Sequence, residues 1–395
     1  MPGTLQLALR YIAYYRGRTA ILVAAITLTM FLPLATGWTI RRFEVHAMHR
    51  AKSTPLVIGA KGSRFGLTIH CLYFRGESPP TFPMAKLKRI DDFRLAETIP
   101  LLARFRAQGF SIVGTTGAYV DFRGLRLERG EPLQRLGDCL LGAKVARELR
   151  LAPGDRLLSE AENMFDLSGP SPLNMRVTGI LHPTGTTDDE IVLCDLETAW
   201  VIQGIGHGHN VVPVGSADKM DSETDDSSSH KHQASLANFL QHTEITDQNL
   251  SSFHFHGRKE DYPLTAIIAI PDSDKSEAIL VGKYLASDET NQIIRPVEVV
   301  DELMTIVGRV RRLFDLCAIL LSVATCLMVG LVLTLSVRLR QREIRTLYLL
   351  GSSRFSIMQI LFTELALIVA TSLGLAVILA LAAARCSDAM MTALM

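Results

Sequence analysis

Three stretches of the chain carry no charged residue: residues 19–40, 316–337 and 365–384, which are 22, 22 and 20 residues long. A helix rises about 1.5 Å per residue, so each stretch reaches about 30 Å, the thickness of a bilayer's hydrocarbon core. Between the first two lie about 270 residues in which apolar and polar positions mix as in an ordinary globular domain. This pattern predicts one spanning helix, a large polar domain, and then a helical hairpin.

Finer periodicities fill in the elements. Residues 5–18 are apolar at Leu5, Leu9, Ile12 and Ala13 with arginines between them, the pattern of a helix lying on a membrane surface. Strand-like runs fall at 55–58, 67–74, 109–113, 118–122, 175–181, 190–194, 262–270 and 292–296. Helical spacing marks 140–149, 196–202 and 276–285, and a stalk helix over 296–312 enters the second apolar run without a breaker. The alternation predicts an α+β domain built from β-α-β units. Residues 206–260 depart from it, being rich in Ser, Asp, His and Gln, and read as a polar insert with too few apolar groups to order itself.

The predicted division is an amphipathic helix (1–18), a first span (19–40) and an extracytoplasmic domain (41–312). A second span (313–337), a short cytoplasmic helix (338–356), a third span (357–385) and a tail (386–395) follow. The fold class is thus an α-helical membrane protein with three transmembrane helices and a large extracytoplasmic α+β domain.

Composition sharpens this picture. The chain is 48% hydrophobic with a mean hydropathy of +0.22, high for a soluble protein. A net charge of +1 excludes a global field directed at nucleic acid. Arg10, Arg16 and Arg18 precede the first run, and Arg338, Arg340, Arg342, Arg345 and Arg354 occupy the loop between the last two. The positive-inside rule puts both in the cytoplasm and the long domain outside, although Arg41, Arg42, Arg309, Arg311 and Arg312 flank the opposite face. Cys71, Cys139 and Cys194 have no C-x-x-C spacing and read as free thiols.

Four features bear on chemistry. In the 338–354 loop, Leu339, Ile344, Leu347 and Leu350 make an apolar stripe beside an arginine face, and Gly351 ends it. Such a helix suits docking into a groove on a soluble partner; a plain basic loop is the alternative. Glu364 lies about one turn inside the third span, where a charge is costly, and should pair with an arginine such as Arg354 or Arg342. Seven of the eleven histidines fall between 207 and 256: three H-x-H pairs, His207/His209, His230/His232 and His254/His256, and His242. Neutral imidazoles at that spacing suit zinc if the backbone is extended; a solvated loop is the alternative. Finally, Gly59-Ala60-Lys61-Gly62-Ser63 lacks P-loop spacing, so ATP is not expected to bind here. His182 and Asp188-Asp189-Glu190 match no hydrolytic constellation and read as a surface turn, which argues against an enzyme.

The loop motif resembles a known family. FtsX/MacB-type ABC transporter permeases carry R-E-I-x-x-L-x-x-L-G-A-S-R-x-x-I and then a Glu in an apolar stretch. This chain has Arg342-Glu343-Ile344, Leu347, Leu350-Gly351, Ser353-Arg354, Ile357 and Glu364 in that order. In the domain, Gly142-Ala143-Lys144-Val145-Ala146 followed by Leu151-Ala152-Pro153-Gly154-Asp155 is similar to the family's G-x-x-V-A and L-x-x-G-D pattern. Arg345 and Tyr348 depart from it, and the family has three spans after the domain where this chain shows two.

The resemblance implies a permease subunit of a bacterial inner-membrane ABC transporter, with ATP bound and hydrolysed by a separate cytoplasmic ATPase. The short helix would couple the two. It also implies a homodimer or a second permease chain, contact with lipid, and a periplasmic or outer-membrane partner in some members. The work done would be export, lipoprotein or lipid extraction, or mechanotransmission, with a zinc link if the histidines bind metal. A membrane-anchored extracytoplasmic metal-binding sensor or receptor is the competing expectation.

Overall fold

In the computed structural model, the described residues are 2–160, 172–208, 243–246, 249–285, 290–339, 341, 345–346, 349 and 354–394. The chain divides into two compact units, Met1–His49 with Val300–Met395, and Arg50–Val299.

The first unit is helical. Helix α1 covers Pro2–Tyr14 and α2 covers Arg16–Lys52. Three helices are long and apolar enough to cross a membrane by length and composition: α2 and the two long C-terminal helices, Pro296–Leu339 and Arg354–Leu394. Small polar side chains join them. Thr29 shares a 2.8 Å hydroxyl contact with Thr325, and Thr27 donates to the Ser372 carbonyl at 3.3 Å. Ala376 and Ala380 are buried nearby in sequence, where small residues let helix backbones approach.

The second unit opens with β1 (Leu56–Ala60), α3 (Arg64–Tyr73), β2 (Phe82–Pro83), α4 (Ala85–Asp92), β3 (Ala96–Ala107), β4 (Phe110–Thr115) and α5 (Gly117–Arg123). β5 (Leu127–Gly130), β6 (Asp138–Leu141), α6 (Ala143–Leu149), β7 (Arg156–Leu158), β8 (Leu173–Leu181), β9 (Ile191–Asp195) and α7 (Leu196–Ile202) follow. Then come β10 (Gly206–His207), β11 (Thr243–Glu244), β12 (His254–Phe255), β13 (Pro263–Leu264), β14 (Ala266–Pro271), α8 (Asp274–Tyr284) and β15 (Asn291–Ile294). The long helices Pro296–Leu339 and Arg354–Leu394 are α9 and α10.

The main sheet runs β11-β8-β6-β9-β4-β3-β14-β1-β15, with β5 and β7 also paired to β8. β4–β9 and β6–β8 are parallel, while β3–β4, β3–β14 and β1–β15 are antiparallel. Both faces are covered, so strand residues alternate between two cores. Leu102 and Phe105 of β3 and Val192 of β9 join Trp200 and Ile90 on one face. Ile99 and Leu101 of β3 and Leu193 of β9 join Leu67 and Tyr119 on the other.

Several elements differ from expectation. Residues 67–74 form the body of α3, not a strand. Its buried positions Leu67, Cys71 and Leu72 follow helical spacing, and the Ser63 hydroxyl accepts from Gly66 N at 2.9 Å as an N-cap. Residues 118–122 lie in α5, which Gly124 ends in a left-handed conformation. The helix expected over 140–149 begins only at Ala143, because Leu140 and Leu141 pair in β6. β3, the longest strand described, had no counterpart in the expected elements. The insert is not uniformly unstructured: residues 206–208 and 249–260 carry β10 and β12, while 209–242 lie outside the described residues.

Candidate metal centre and buried ionic cluster

The histidine group begins with a packing pattern. Residues 253–256 read Phe-His-Phe-His, and in extended backbone alternate side chains point to opposite faces. Phe253 and Phe255 pack against the core that contains Trp200, and Phe255 lies 6.2 Å from Tyr262, ring to ring. His254 and His256 therefore share the other face.

The partner strand is complementary. β10 pairs antiparallel with β12, Gly206 opposite Phe255 and His207 opposite His254. The glycines flanking His207 make room for the phenylalanine rings. A Cβ on Gly206 would stand 2.7 Å from the Phe255 ring, and one on Gly208 2.6 Å from Phe253. A one-residue slip would turn the phenylalanines to solvent, so the apolar burial fixes the register and hence the histidine face.

His207, His254 and His256 consequently converge. One ring nitrogen from each lies within 4.8 Å of the others, with His207 and His256 exposed and His254 half-buried. The ring centroids are 4.6–4.8 Å apart. His256 Nε2 and His207 Nε2 are separated by 3.4 Å. His254 Nδ1 lies 3.1 Å from the Ser252 carbonyl, which can only accept. Nδ1 thus carries the proton, and Nε2 of His254 offers a lone pair. Such an arrangement can ligate a cation through three imidazoles. His209, His230 and His232, also expected to contribute, lie outside the described residues.

A second cluster was not legible beforehand. Asp188 is buried rather than part of a surface turn. Arg50, in the last turn of α2, donates from Nη1 to Asp188 Oδ2 at 2.5 Å and from Nη2 to Oδ1 at 3.0 Å. Its Nε donates to the Leu72 carbonyl at 2.5 Å, and the Tyr119 hydroxyl donates to Asp188 Oδ1 at 2.7 Å. The Arg50 and Asp188 side chains are 8% and 3% exposed. Burial pushes the Asp188 carboxyl up, but the Arg50 guanidinium and the Tyr119 hydroxyl outweigh it and hold the group below its ordinary value. Arg123 adds contacts to Ser53 at 3.1 Å and Thr54 at 2.9 Å. With both carboxylate oxygens engaged, this cluster is built to fix the end of α2, not to react.

In the helical unit, buried Glu364 pairs with Arg18; the side chains of Arg342 and Arg354, the partners expected for it, lie outside what is described. The coupling residues Arg342, Glu343, Ile344, Leu347, Leu350 and Gly351 lie outside the described residues, and Arg354 opens α10.

The family model of the MacB-like periplasmic core domain matches residues 21–224, half of the chain. The chain belongs to that family. It is accordingly an FtsX/MacB-type ABC transporter permease relative, as the Arg342–Arg354 motif suggested. Solved structures align to it, among them these two. The periplasmic region of MacB from Actinobacillus actinomycetemcomitans is 11% identical, with 64% of this chain and 94% of that one covered and a TM-score of 0.34. The extracellular domain of the noncanonic ABC-type transporter YknZ from Gram-positive bacteria is 11% identical, with 60% and 98% covered and a TM-score of 0.29. No curated protein matches.

Proposed function

We propose that this chain is the permease subunit of an ABC transporter, coupling ATP hydrolysis in a separate cytoplasmic ATPase to motion of its Arg50–Val299 domain. The observation that carries the reading is the family match over residues 21–224 in a chain with three apolar helices. Helix α2 supports it: it runs from Arg16 to Lys52 with Pro33 inside it, and its last turn is tied down by the buried Arg50–Asp188 pair. In this reading Arg342, Glu343, Ile344, Leu347, Leu350, Gly351 and Arg354 form the coupling segment, and the domain faces away from the cytoplasm. The output is export, lipoprotein or lipid extraction, or mechanotransmission.

The test is purification of the tagged chain from its own membranes in mild detergent. An ABC ATPase should accompany it, and Glu343→Lys should leave the pair assembled while lowering ATP-driven function. A Glu343→Lys chain with unaltered function and unaltered association would refute the role given to that segment. The convergent histidines favour a second reading, a metal-responsive extracytoplasmic sensor anchored by the same helices. Absence of any ATPase from the purified assembly would favour it.

A further inference from the structure

We infer that His207, His254 and His256 form an exchangeable binding site for a divalent zinc-class ion. The inference does not rest on the permease reading.

The distances fit. Zinc binds imidazole nitrogen at about 2.0–2.1 Å, and tetrahedral geometry then sets the nitrogen–nitrogen separation at about 3.3 Å. The His207 and His256 Nε2 atoms stand 3.4 Å apart. The third ligand is oriented from behind. The Ser252 carbonyl, 3.1 Å from His254 Nδ1, accepts from it and fixes the ring as a supporting partner.

The scaffold is also preorganised. His207 and His254 face each other across a ladder whose opposite face is pinned by Phe253 and Phe255. The ligands therefore sit on strands with a fixed register.

The ligand set identifies the guest and the kind of site. Three imidazoles without thiolate suit zinc, copper(II) or nickel(II), and not the hard oxygen-seeking ions magnesium or calcium. Two of the three histidines are exposed, so an ion can arrive and depart without the domain unfolding.

The experiment is a zinc titration of the metal-stripped full-length chain in detergent, in competition with a chromophoric chelator. The comparison is the triple variant His207→Ala/His254→Ala/His256→Ala. The wild-type chain should take up zinc, and the variant should bind it at least about tenfold more weakly, the loss typical even of disturbing one supporting group around a metal. Excess magnesium should not displace the zinc. Near-UV circular dichroism in chelator should be the same for both, since the substituted face is largely solvent. Should the triple variant misfold, exposed His256→Gln alone carries the comparison. A wild-type chain that takes up no zinc, a change below tenfold in the folded variant, or displacement by magnesium each overturns the inference.

Discussion

Replacing Asp188 with Ala should destabilise the Arg50–Val299 domain far more than a surface substitution. The change removes the carboxylate that accepts from both Arg50 Nη atoms and from Tyr119, and leaves a guanidinium buried without its counter-charge. Breaking a buried pair from one side costs about 3–5 kcal/mol. The domain spans 250 residues (299 − 50 + 1). For that size each kcal/mol moves the melting temperature by about 2–4 °C, so a drop of about 10 °C is expected. The assay is thermal unfolding of the full chain in detergent, followed by the fluorescence of Trp200, buried in this domain, in a Trp38→Phe background. The double variant Arg50→Met/Asp188→Leu should recover most of the loss, because two apolar groups leave no charge stranded. The pH dependence has a definite sign. The folded carboxyl titrates below its unfolded value, so its contribution is present above about pH 3.9 and is lost as pH falls through the lower folded value. The wild-type advantage over Asp188→Ala should therefore be flat from neutral pH to about 5 and shrink only below about 4. A melting temperature for Asp188→Ala within about 2 °C of wild type would show that the cluster does not anchor α2.

Two further outcomes are expected. Burial holds His70 at about 4, below the ordinary histidine value of about 6.5, so the unfolded chain takes up its proton first as pH falls. Stability should decline from about pH 6.5 towards 4 by up to about 3 kcal/mol, and His70→Gln should remove that part of the slope when wild type and variant melts are subtracted. For topology, Ser228→Cys should react with a membrane-impermeant thiol reagent in intact cells, and protection of that site would reverse the proposed orientation.

Much of the domain was legible where local pattern and tertiary fate agree. Residues 196–202 read as a helix, and α7 spans them; Ile191–Asp195 and Asn291–Ile294 fall where β-rich runs were seen. β3 was hidden because Pro100 and the charged Glu97, Arg104 and Arg106 blur its alternation. A central strand can hold them because Pro100 needs no donor at its place, and its carbonyl still accepts from Thr115 at 2.9 Å. Residues 67–74 misled because Thr, Ile, Tyr and Phe favour strands, while the Ser63 cap that fixes the helix is a single residue upstream of the run.

The two clusters differ in the same way. The H-x-H spacing announced a shared histidine face on an extended backbone, but the flanking glycines and phenylalanines drew no expectation, and only the β10–β12 pairing joins positions nearly fifty residues apart. Asp188 gave no local sign at all. It sits among polar turn residues, and the arginine that buries it lies 138 positions earlier. Long-range ionic partners leave no periodicity in a sequence.

The claim at the centre of this account is that the segment containing Leu347 delivers the stroke of a cytoplasmic ATPase. A photo-crosslinking amino acid placed at Leu347 in the full chain, irradiated in native membranes, tests it directly. An adduct with a nucleotide-binding ABC ATPase is expected, its yield changing when ATP is trapped unhydrolysed. Efficient expression with adducts only to lipid or to other membrane chains would contradict it.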